Sequence, residues 1–351
     1  MNQEQTLKTI NFNYHLPQKL IAQTPVTPRD HSRLMVVHKT TGLIEHRRFY
    51  DLPEYLRSGD VMVFNESRVI PARLRGTRSD TGGSVELLIL SQLDNAVWQA
   101  LVKPGRRMRV GTEFELIQGD HKITGSVTDS DSEGVRTVKF STEIDFDKIG
   151  EIPLPPYICK PLENSDRYQT VYAKVPGSIA APTAGLHFTT SLLETIHDIG
   201  VKLVFVTLHV GFGSFRPVKT DDVTSHHMRP ERFSINQSAV DTINDAKVEG
   251  RRVISVGSTP TRLMEHTASL SSAGQIHSTL SATSGWADIF IAPGHTFRIV
   301  DILITNFHLP KSTLLMLTSA FADRTLILKA YNEAIKLNYR FYSLGDAMIV
   351  V

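Results

Sequence analysis

The sequence has little cysteine and no long apolar run, and each of these absences narrows the possibilities. Its 351 residues contain a single cysteine, Cys159, which excludes an internal disulfide and any multi-cysteine metal site. No apolar stretch reaches the length of a transmembrane helix, and the first residues lack the basic-then-apolar pattern of a signal peptide. We therefore expect a cytoplasmic protein with no membrane partner.

The chain also has little net charge. Its formal charge is +2, which is not the bulk charge of a nonspecific nucleic-acid binder. A nucleic-acid partner would have to contact local basic clusters, and two are present, within residues 68–78 and 103–109. Taken alone, each cluster is better explained as a solvated strand edge blunted by charge.

Several familiar site patterns are absent. The stretch GFGSFRP, residues 211–217, lacks the third glycine of a dinucleotide fingerprint, and neither a GxxxxGK loop nor a Gly-x-Ser-x-Gly elbow occurs. His226 and His227 are adjacent, so a regular helix cannot direct both at one metal ion. The sequence therefore predicts no metal site.

The middle of the chain differs from its flanks. Between residues 66 and 149, short β-rich runs recur, and Gly, Asp or Ser turns separate them. Regular short strands with such turns predict a small sandwich or barrel. The runs are Val85–Leu90, Val97–Val102, Phe114–Ile117, Lys122–Val127 and Val135–Phe140.

The flanks alternate apolar strand-like runs with helical patterns, and strands separated by helices are mainly parallel. We therefore predict an α/β fold, a mainly parallel sheet with flanking helices, plus an inserted small antiparallel β-barrel domain. The α/β catalytic domain would be discontinuous, residues 1–65 and 150–351. The barrel would occupy residues 66–149.

Local signals place several element ends in the α/β part. Ile302–Thr305 is predicted to be a buried strand, and Ser312 or Thr313 is predicted to cap the helix that follows. Ser191 with Glu194 has the pattern of a capping box.

Two further predictions concern the segment after residue 235. Asn236 is expected to cap a helix over residues 238–249, which ends at Gly250. Asp288–Ala292 is predicted to be a strand that runs into a Pro-Gly-His loop.

Small and reactive residues follow the predicted parallel strands, whose outgoing loops meet at one edge of the sheet. Each of these residues has an ordinary structural explanation, such as a tight turn or a histidine bonded to backbone. Their joint clustering nevertheless predicts a ligand site. They are Thr183, Gly185, His187, His209, Gly211, Gly213, Thr259, Arg262, His295, Asn306, His308 and Lys311.

Seven stretches, in order along nearly the whole chain, carry a family resemblance. They are LIAQTPVTPRDHSRLMVV, GDVMVFNESRVIPARLRG, GEIPLPPYI, RYQTVYAKVPGSIAAPTAGLHFT, VTLHVGFGSFRPV, ITNFHLPKSTLLMLTSAFA and YRFYSLGDAMIV. The sequence resembles the S-adenosylmethionine:tRNA ribosyltransferase-isomerase family of queuosine biosynthesis. Two motifs depart from the family pattern: Gly-Thr-Thr-Ser-Val-Arg is Gly-Ser-Thr-Pro-Thr-Arg at residues 257–262, and Glu-His-x-Met-His is Ser-His-His-Met-Arg at residues 225–229.

The resemblance implies a reaction that the residues alone would not give. The ribosyl part of S-adenosylmethionine would move to the aminomethyl-deazaguanine at the tRNA wobble position and be isomerised, giving epoxyqueuosine-tRNA, adenine and methionine. S-adenosylmethionine would be a co-substrate, with no prosthetic group and no metal. The sequence shows no heptad pattern or exposed apolar helix, so we expect a monomer.

Site roles follow as hypotheses from the matched motifs. Proton removal beside the sulfonium and protonation of adenine suit histidines near neutral pH. Arg262 or Lys311 is expected to bind the methionine carboxylate. The catalytic candidates are His187, His209 and His308; the cofactor-binding candidates are Thr183, Gly211, Gly213, Thr259, Arg262, Asn306 and Lys311; the tRNA-binding candidates are Arg68, Arg73, Arg106 and Arg107.

The sequence is also compatible with two other functions. An S-adenosylmethionine-dependent RNA methyltransferase would leave adenosylhomocysteine instead of free adenine and methionine. A noncatalytic tRNA-binding module would bind tRNA without consuming the cofactor. The histidine-bearing loops favour an enzyme over the noncatalytic module.

Overall fold

The computed structural model describes residues 7–118, 121–211, 218, 220–271 and 279–351. The chain forms two compact units. The α/β unit comprises Met1–Arg68, Pro156–Val175 and Ala181–Val351, and the barrel unit comprises Val69–Pro155 and Pro176–Ala180. The assignment of a catalytic and an inserted domain to the predicted boundaries stays a prediction.

The α/β unit is built on a nine-stranded sheet. Its strands are β1 (Arg33–Val37), β2 (Ile44–Arg48), β3 (Val61–Asn65), β12 (Lys202–Leu208), β13 (Glu231–Ile235), β14 (Val253–Val256), β15 (Thr283–Ala287), β16 (Ile302–Asn306) and β17 (Ala347–Val350). Their order across the sheet is β15-β13-β12-β3-β14-β16-β17-β1-β2. Two short strands, β4 (Ser67–Val69) and β11 (Val175–Ser178), form a separate pair.

The centre of the large sheet is parallel. Strands β12, β3, β14 and β16 pair in parallel, and every residue of β3, β14 and β16 is buried. Continuous apolar runs suit strands covered on both faces, and the predicted buried strand Ile302–Thr305 lies within β16. The outer pairings β12–β13, β13–β15 and β1–β2 are antiparallel.

Strand β17 adds an unusual feature to this sheet. It runs antiparallel to β16, with Ala347 opposite Asn306, and parallel to β1, with Ala347 beside Leu34. The starts of β17 and β1 therefore lie at the edge where β12, β3, β14 and β16 end. We call this edge, with the residues that follow those four strands and precede β17 and β1, the carboxyl edge.

The helices cover the faces of this sheet. They are α2 (Thr190–Asp198), α3 (Gln237–Val248), α4 (Ser258–Ser271), α5 (Thr313–Phe321) and α6 (Arg324–Lys336). Short 3₁₀ helices in this unit span Thr9–Phe12, Gln18–Leu20, Arg29–His31, Phe49–Tyr55, Ser165–Tyr168, Thr183–His187 and Val223–Ser225. Within the described residues, no helix is long and apolar enough to cross a membrane.

The predicted caps had mixed outcomes. Ser312 accepts a hydrogen bond from Leu315 N at 3.2 Å and Asn236 accepts one from Ala239 N at 2.9 Å, so both predicted N-caps are confirmed. The predicted capping box at Ser191 is wrong. Thr189 caps α2 instead, accepting from Leu192 N at 3.1 Å, because the helix begins one residue before Ser191.

The barrel unit holds a closed six-stranded barrel in the order β10-β7-β6-β5-β8-β9. Every strand pair in it is antiparallel. Its strands are β5 (Arg73–Arg78), β6 (Ser84–Asp94), β7 (Val97–Lys103), β8 (Glu113–Gln118), β9 (His121–Ser130) and β10 (Val135–Phe140), with the 3₁₀ helix Gly105–Arg107 and helix α1 (Phe146–Ile149). Together with the large sheet and its helices, this confirms the predicted fold class.

One predicted strand is wrong. Asp288–Ala292 is not a strand, and β15 occupies Thr283–Ala287 instead. The alternating exposure of β15 fits a sheet edge, and all five of its residues pair with β13. After β15 the chain leaves the sheet, and Ile291 is buried in the core although it belongs to no strand. The Ser-rich stretch 268–284, whose composition predicts a surface loop, lies partly outside the described residues, and its described ends belong to α4 and β15.

Candidate active site

His187 stands at the carboxyl edge between two groups from distant parts of the chain. Its Nδ1 lies 2.7 Å from Ser32 Oγ, just before β1, and its Nε2 lies 3.2 Å from Asn306 Nδ2, at the end of β16. The ring stacks on Phe49 with centroids 4.9 Å apart. The fold thus brings together two predicted site residues, His187 and Asn306, that are 119 positions apart.

The hydrogen bonds of Asn306 define the tautomer of His187. Asn306 Nδ2 also donates to the carbonyl oxygen of Tyr342 at 3.2 Å, and a carbonyl oxygen only accepts. The amide nitrogen therefore faces His187, whose Nε2 must accept, and the proton on Nδ1 is donated to Ser32. Burial, with smaller contributions from Arg340 and Arg29, lowers the pKa of His187 to about 3. The imidazole is neutral at physiological pH, with an unprotonated Nε2.

Asn306 keeps one unused acceptor. Its Oδ1 is buried and has no hydrogen-bond partner among the described residues. A buried acceptor without a donor costs free energy unless a ligand or water supplies one. The amide is therefore suited to bind a hydroxyl or N–H of a substrate beside His187.

The backbone turn that carries His187 requires glycine. A Cβ at Gly185 would overlap the Tyr172 hydroxyl and lie 2.9 Å from Thr170 Cγ2. The same turn lies over the end of β14, because the Cβ position of Gly257 is 3.4 Å from Ala184 Cβ. Gly257 has a φ of +97°, which side chains rarely adopt. The close approach of the segments around Ala184 and Gly257 thus places the turn that carries His187 on the carboxyl edge.

Thr259 belongs to a second buried cluster at this edge. Asn65, the last residue of β3, donates through Nδ2 to Thr259 Oγ1 at 3.1 Å and to Leu208 O at 2.8 Å. Its Oδ1 accepts from Leu208 N at 3.0 Å. Asn65 therefore connects the ends of β3 and β12 to the first turn of α4.

Arg262 and Gly211 meet through a residue that the sequence did not suggest. Glu231 forms a buried ion pair with Arg262 Nη1 and accepts a hydrogen bond from Gly211 N at 2.8 Å. Arg262 Nε donates to Ile289 O at 3.2 Å. Buried charges of this kind are stable only when paired. Gly213 lies outside the described residues.

The other two candidate histidines have separate surroundings. His308 is buried, its Nε2 lies 2.8 Å from Thr305 Oγ1, and burial lowers its pKa to about 3. His209 is half-buried, and its pKa is lowered by burial and by the charge of Arg232. The buried Nδ1 of His209 has no partner among the described residues. Among the described residues, no hydrogen bond joins any two of His187, His209 and His308.

Lys311 and Thr183 are the remaining cofactor-binding candidates. Lys311 lies just before α5 with a φ of 58°, its N–H donates to Phe12 O at 3.0 Å, and the residue is half-exposed. Thr183 begins the 3₁₀ turn that ends at His187 and is also half-exposed. Phe307, whose aromatic face could in principle contact a sulfonium, is fully buried and packs on Tyr331, so it belongs to the core.

The four candidate tRNA-binding arginines differ in exposure. Arg106 and Arg107 are exposed on the 3₁₀ helix of the barrel unit, and no carboxylate among the described residues lies within 4.0 Å of either guanidinium. Arg73, in β5, is half-buried and donates to Leu154 O at 3.0 Å. Arg68, in the α/β unit, is exposed.

Sequence reasoning missed Ser32, Asn65, Glu231 and Tyr342. Asn65 is the last residue of β3 and directly follows its apolar residues 61–64, so its position at a strand end was a usable signal. The others are recognisable only from partners far away in sequence. Across the described part of the chain, no group of three or more His, Cys, Asp or Glu residues is placed to hold a metal ion.

Comparison with known proteins agrees with the family resemblance. The family model described as "Queuosine biosynthesis protein" matches residues 9–350. An S-adenosylmethionine:tRNA ribosyltransferase-isomerase from Clostridioides difficile (strain 630) is 52% identical over 348 residues, which cover 98% of this chain and 100% of the relative. The crystal structure of an S-adenosylmethionine tRNA ribosyltransferase from Thermotoga maritima is 34% identical with a TM-score of 0.55, covering 97% of this chain and 100% of that one. The chain therefore belongs to the queuosine biosynthesis protein family.

Proposed function

We propose that this chain transfers and isomerises the ribosyl moiety of S-adenosylmethionine onto the aminomethyl-deazaguanine at the tRNA wobble position. The products would be epoxyqueuosine-tRNA, adenine and methionine, and S-adenosylmethionine would be a co-substrate. Family membership and the 52% identical relative support the tRNA ribosyltransferase-isomerase activity. The particular base, the products, a monomeric state and a cytoplasmic location are proposals.

The observation that carries this proposal is the neutral His187 held between Ser32 and Asn306. The reaction requires removal of a proton beside the sulfonium, and the unprotonated Nε2 can accept it once the ligand displaces the hydrogen bond from Asn306 Nδ2. Because burial lowers the pKa of His187 to about 3, the neutral ring is a weak base and the imidazolium formed would be a strong acid. It would give up its proton readily, which suits protonation of the departing adenine. We propose that His187 acts first as base and then as acid.

His209 and His308 are candidates for a second proton-transfer role. His209 has a buried Nδ1 free of partners within the described residues, which makes it available to a ligand. His308 is bonded to Thr305, and its backbone N–H donates to the Tyr331 hydroxyl at 3.0 Å. These contacts favour His209 over His308.

The proposed cofactor-binding residues divide into direct and indirect contributors. Asn306 Oδ1 would accept from a ribose hydroxyl, and Thr183 and Lys311 are partly exposed and able to contact ligand. Thr259 is bonded to Asn65, and Arg262 holds Glu231, which binds Gly211 N. We propose that these two set the shape of the pocket, and that Gly213 belongs to the same binding set.

For the tRNA, we propose that Arg68, Arg73, Arg106 and Arg107 contact the phosphate backbone. Such contacts position the nucleic acid without reading its sequence. The strongest support comes from Arg106 and Arg107, which are exposed and have no carboxylate within 4.0 Å among the described residues.

One incubation tests the function. The chain is mixed with S-adenosylmethionine and tRNA carrying the aminomethyl-deazaguanine, and the products are separated by chromatography. We expect adenine and methionine in equal amounts and epoxyqueuosine in the digested tRNA. A tRNA with guanine at the wobble position is the control and should release no adenine.

Two outcomes would contradict the proposal. Adenosylhomocysteine without free adenine would identify a methyltransferase. Binding of tRNA without consumption of S-adenosylmethionine would identify a noncatalytic module.

A further inference from the structure

A narrow crevice within the α/β unit opens beside His187. It is lined by Arg29, Arg167, Ser32, Ser343 and His187, among others. Both arginines are half-buried, and neither was assigned a role above. The crevice thus joins the proposed catalytic imidazole to two positive charges.

Among the described residues, the two guanidinium groups bind only backbone carbonyl oxygens. Arg29 donates to Leu186 O at 3.3 Å and to Asp166 O at 2.9 Å. Arg167 donates to Val26 O, and its buried Nε has no partner among the described residues. Carbonyl oxygens satisfy N–H groups but do not neutralise a charge. In the described residues, no carboxylate lies within 4.0 Å of either side chain.

The charge state of this pair is unfavourable without a further partner. The pKa of Arg29 is lowered by burial and then by the charge of Arg167, which outweigh the opposing charge of Asp166, and burial also lowers the pKa of Arg167. Two like charges brought together away from water raise each other's free energy. Three other arginines of the same unit have carboxylate partners, Arg33 with Asp346, Arg252 with Asp60 and Arg262 with Glu231, whereas the half-buried Arg340 donates to Thr24 O.

We propose that Arg29 and Arg167 bind the carboxylate of the methionine part of S-adenosylmethionine. The inference rests on the proposed function. A guanidinium group binds a carboxylate through paired N–H donors, and this carboxylate would neutralise the arginine pair. In S-adenosylmethionine the α-carbon and two methylene groups separate the carboxylate from the sulfonium. A carboxylate in the crevice therefore leaves the sulfonium and its ribosyl carbon near His187.

This assignment differs from the one made for Arg262 and Lys311. Arg262 also has a buried Nη2 without a partner among the described residues, but its charge is neutralised by Glu231, and Lys311 does not line the crevice. The two assignments predict opposite results in a binding experiment. Only substitution of the residue that binds the carboxylate should reduce the preference for S-adenosylmethionine over the same ligand without its carboxylate.

The experiment compares S-adenosylmethionine with decarboxylated S-adenosylmethionine by equilibrium dialysis against the full chain. We expect the wild type to bind the carboxylated ligand roughly tenfold or more tightly, as a charge-assisted hydrogen bond requires. Arg29→Gln and Arg167→Gln should each lose about tenfold in affinity for S-adenosylmethionine. Their affinity for the decarboxylated ligand should change little, so the preference shrinks.

Three further variants make the result specific. Arg29→Lys keeps the charge and should retain part of the preference. Lys311→Gln should retain all of it. Arg47→Gln removes an exposed arginine paired with Glu45 and should leave both affinities unchanged. Thermal unfolding of each variant checks that the fold is intact.

The proposal is overturned if the wild type binds both ligands equally, a measurement that needs no variant. It is also overturned if Lys311→Gln abolishes the preference, or if the arginine variants weaken both ligands alike. Weaker tRNA binding with unchanged S-adenosylmethionine binding would identify a phosphate site instead. Adenine release by the wild type is scored separately, so failure of the reaction and failure of the carboxylate site are distinguishable.

Discussion

The carboxyl edge of the α/β unit and the surface of the barrel unit use polar residues in different ways. At the carboxyl edge, His187, Asn306 and Asn65 are buried, and each is held by partners from other strands or turns. On the barrel, charged groups such as Arg106 and Arg107 are exposed. The contribution of a buried polar group depends on the geometry of its hydrogen bonds, whereas interactions between exposed charges are weakened by solvent and salt. Substitutions should therefore have large, specific effects in the first region and small, additive effects in the second.

The largest effect is expected at His187. His187→Asn removes the proposed proton-transfer group and should lower the rate of adenine release by about 10²–10⁴-fold. Affinity for S-adenosylmethionine should change only a few-fold. His197→Asn, on the exposed face of α2, is the matched control. Turnover of the His187 variant within a few-fold of wild type would show that another residue performs this step.

The next effect concerns the buried ion pair. Glu231→Gln leaves Arg262 without its partner in the interior, which costs about 3–5 kcal/mol of the free energy of unfolding. Urea denaturation measures this loss. Glu249→Gln removes the exposed partner of Arg251 and should cost less than about 1 kcal/mol. Equal losses in the two variants would mean that burial of the pair does not govern its contribution.

The third effect is a loss of stability in acid. The pKa of His187 and of His308 is near 3 in the folded chain and 6.5 ordinarily. Above about pH 6.5 both rings are neutral in the folded and in the unfolded chain, so they contribute fully to the free energy of unfolding. As the pH falls from about 6.5 toward 3, only the unfolded chain takes up these protons, so the free energy of unfolding decreases. At about pH 5 the loss is on the order of 2 kcal/mol for each histidine.

Urea unfolding at about pH 7.5 and about pH 5 tests this expectation. His308→Gln should lose less stability between these conditions than the wild type, because one buried imidazole no longer titrates. His197→Gln, exposed in the folded chain, should behave as the wild type does. An unchanged difference in His308→Gln would contradict the depressed pKa of His308.

The smallest effects are expected on the barrel. Arg106→Gln and Arg107→Gln should each weaken tRNA binding several-fold and reduce the slope of log affinity against log salt by roughly 0.7–0.9 per lost phosphate contact. Arg78→Gln, whose guanidinium pairs with Asp80, should change the slope less. Titration of tRNA at several salt concentrations measures both. A slope that Arg106 and Arg107 do not affect would place the tRNA elsewhere.

The parts of the fold that the sequence predicted have local signals. Strand β16, the Ser312 cap and the barrel strands follow from apolar runs, capping residues and turns that lie within a few positions of each other. The strand predicted over residues 288–292 failed because sheet pairing, a long-range property, selected the neighbouring segment β15. The same distinction between local signals and long-range pairing explains which parts of the site could be predicted.

At the site, the residue types at strand ends were visible, but their partners were not. His187 and Asn306 were identified from their loops, yet Ser32 and Tyr342 reach them only through the antiparallel β17 and its neighbour β1. Glu231 had no local signal, since its partner Arg262 lies 31 positions away. Contacts of this kind depend on topology, which local patterns do not encode.

Strand β3 has a consequence for how quickly the chain folds. Val61 pairs with Lys202 on one side and with Val253 on the other, so neither neighbour of β3 exists until much of the chain has been synthesised. Closing such long loops is entropically costly, and folding rates fall as contacts become more distant in sequence. The apolar β3 segment should therefore remain without its partners on the ribosome, a natural target for chaperones, and refolding in vitro should be slow.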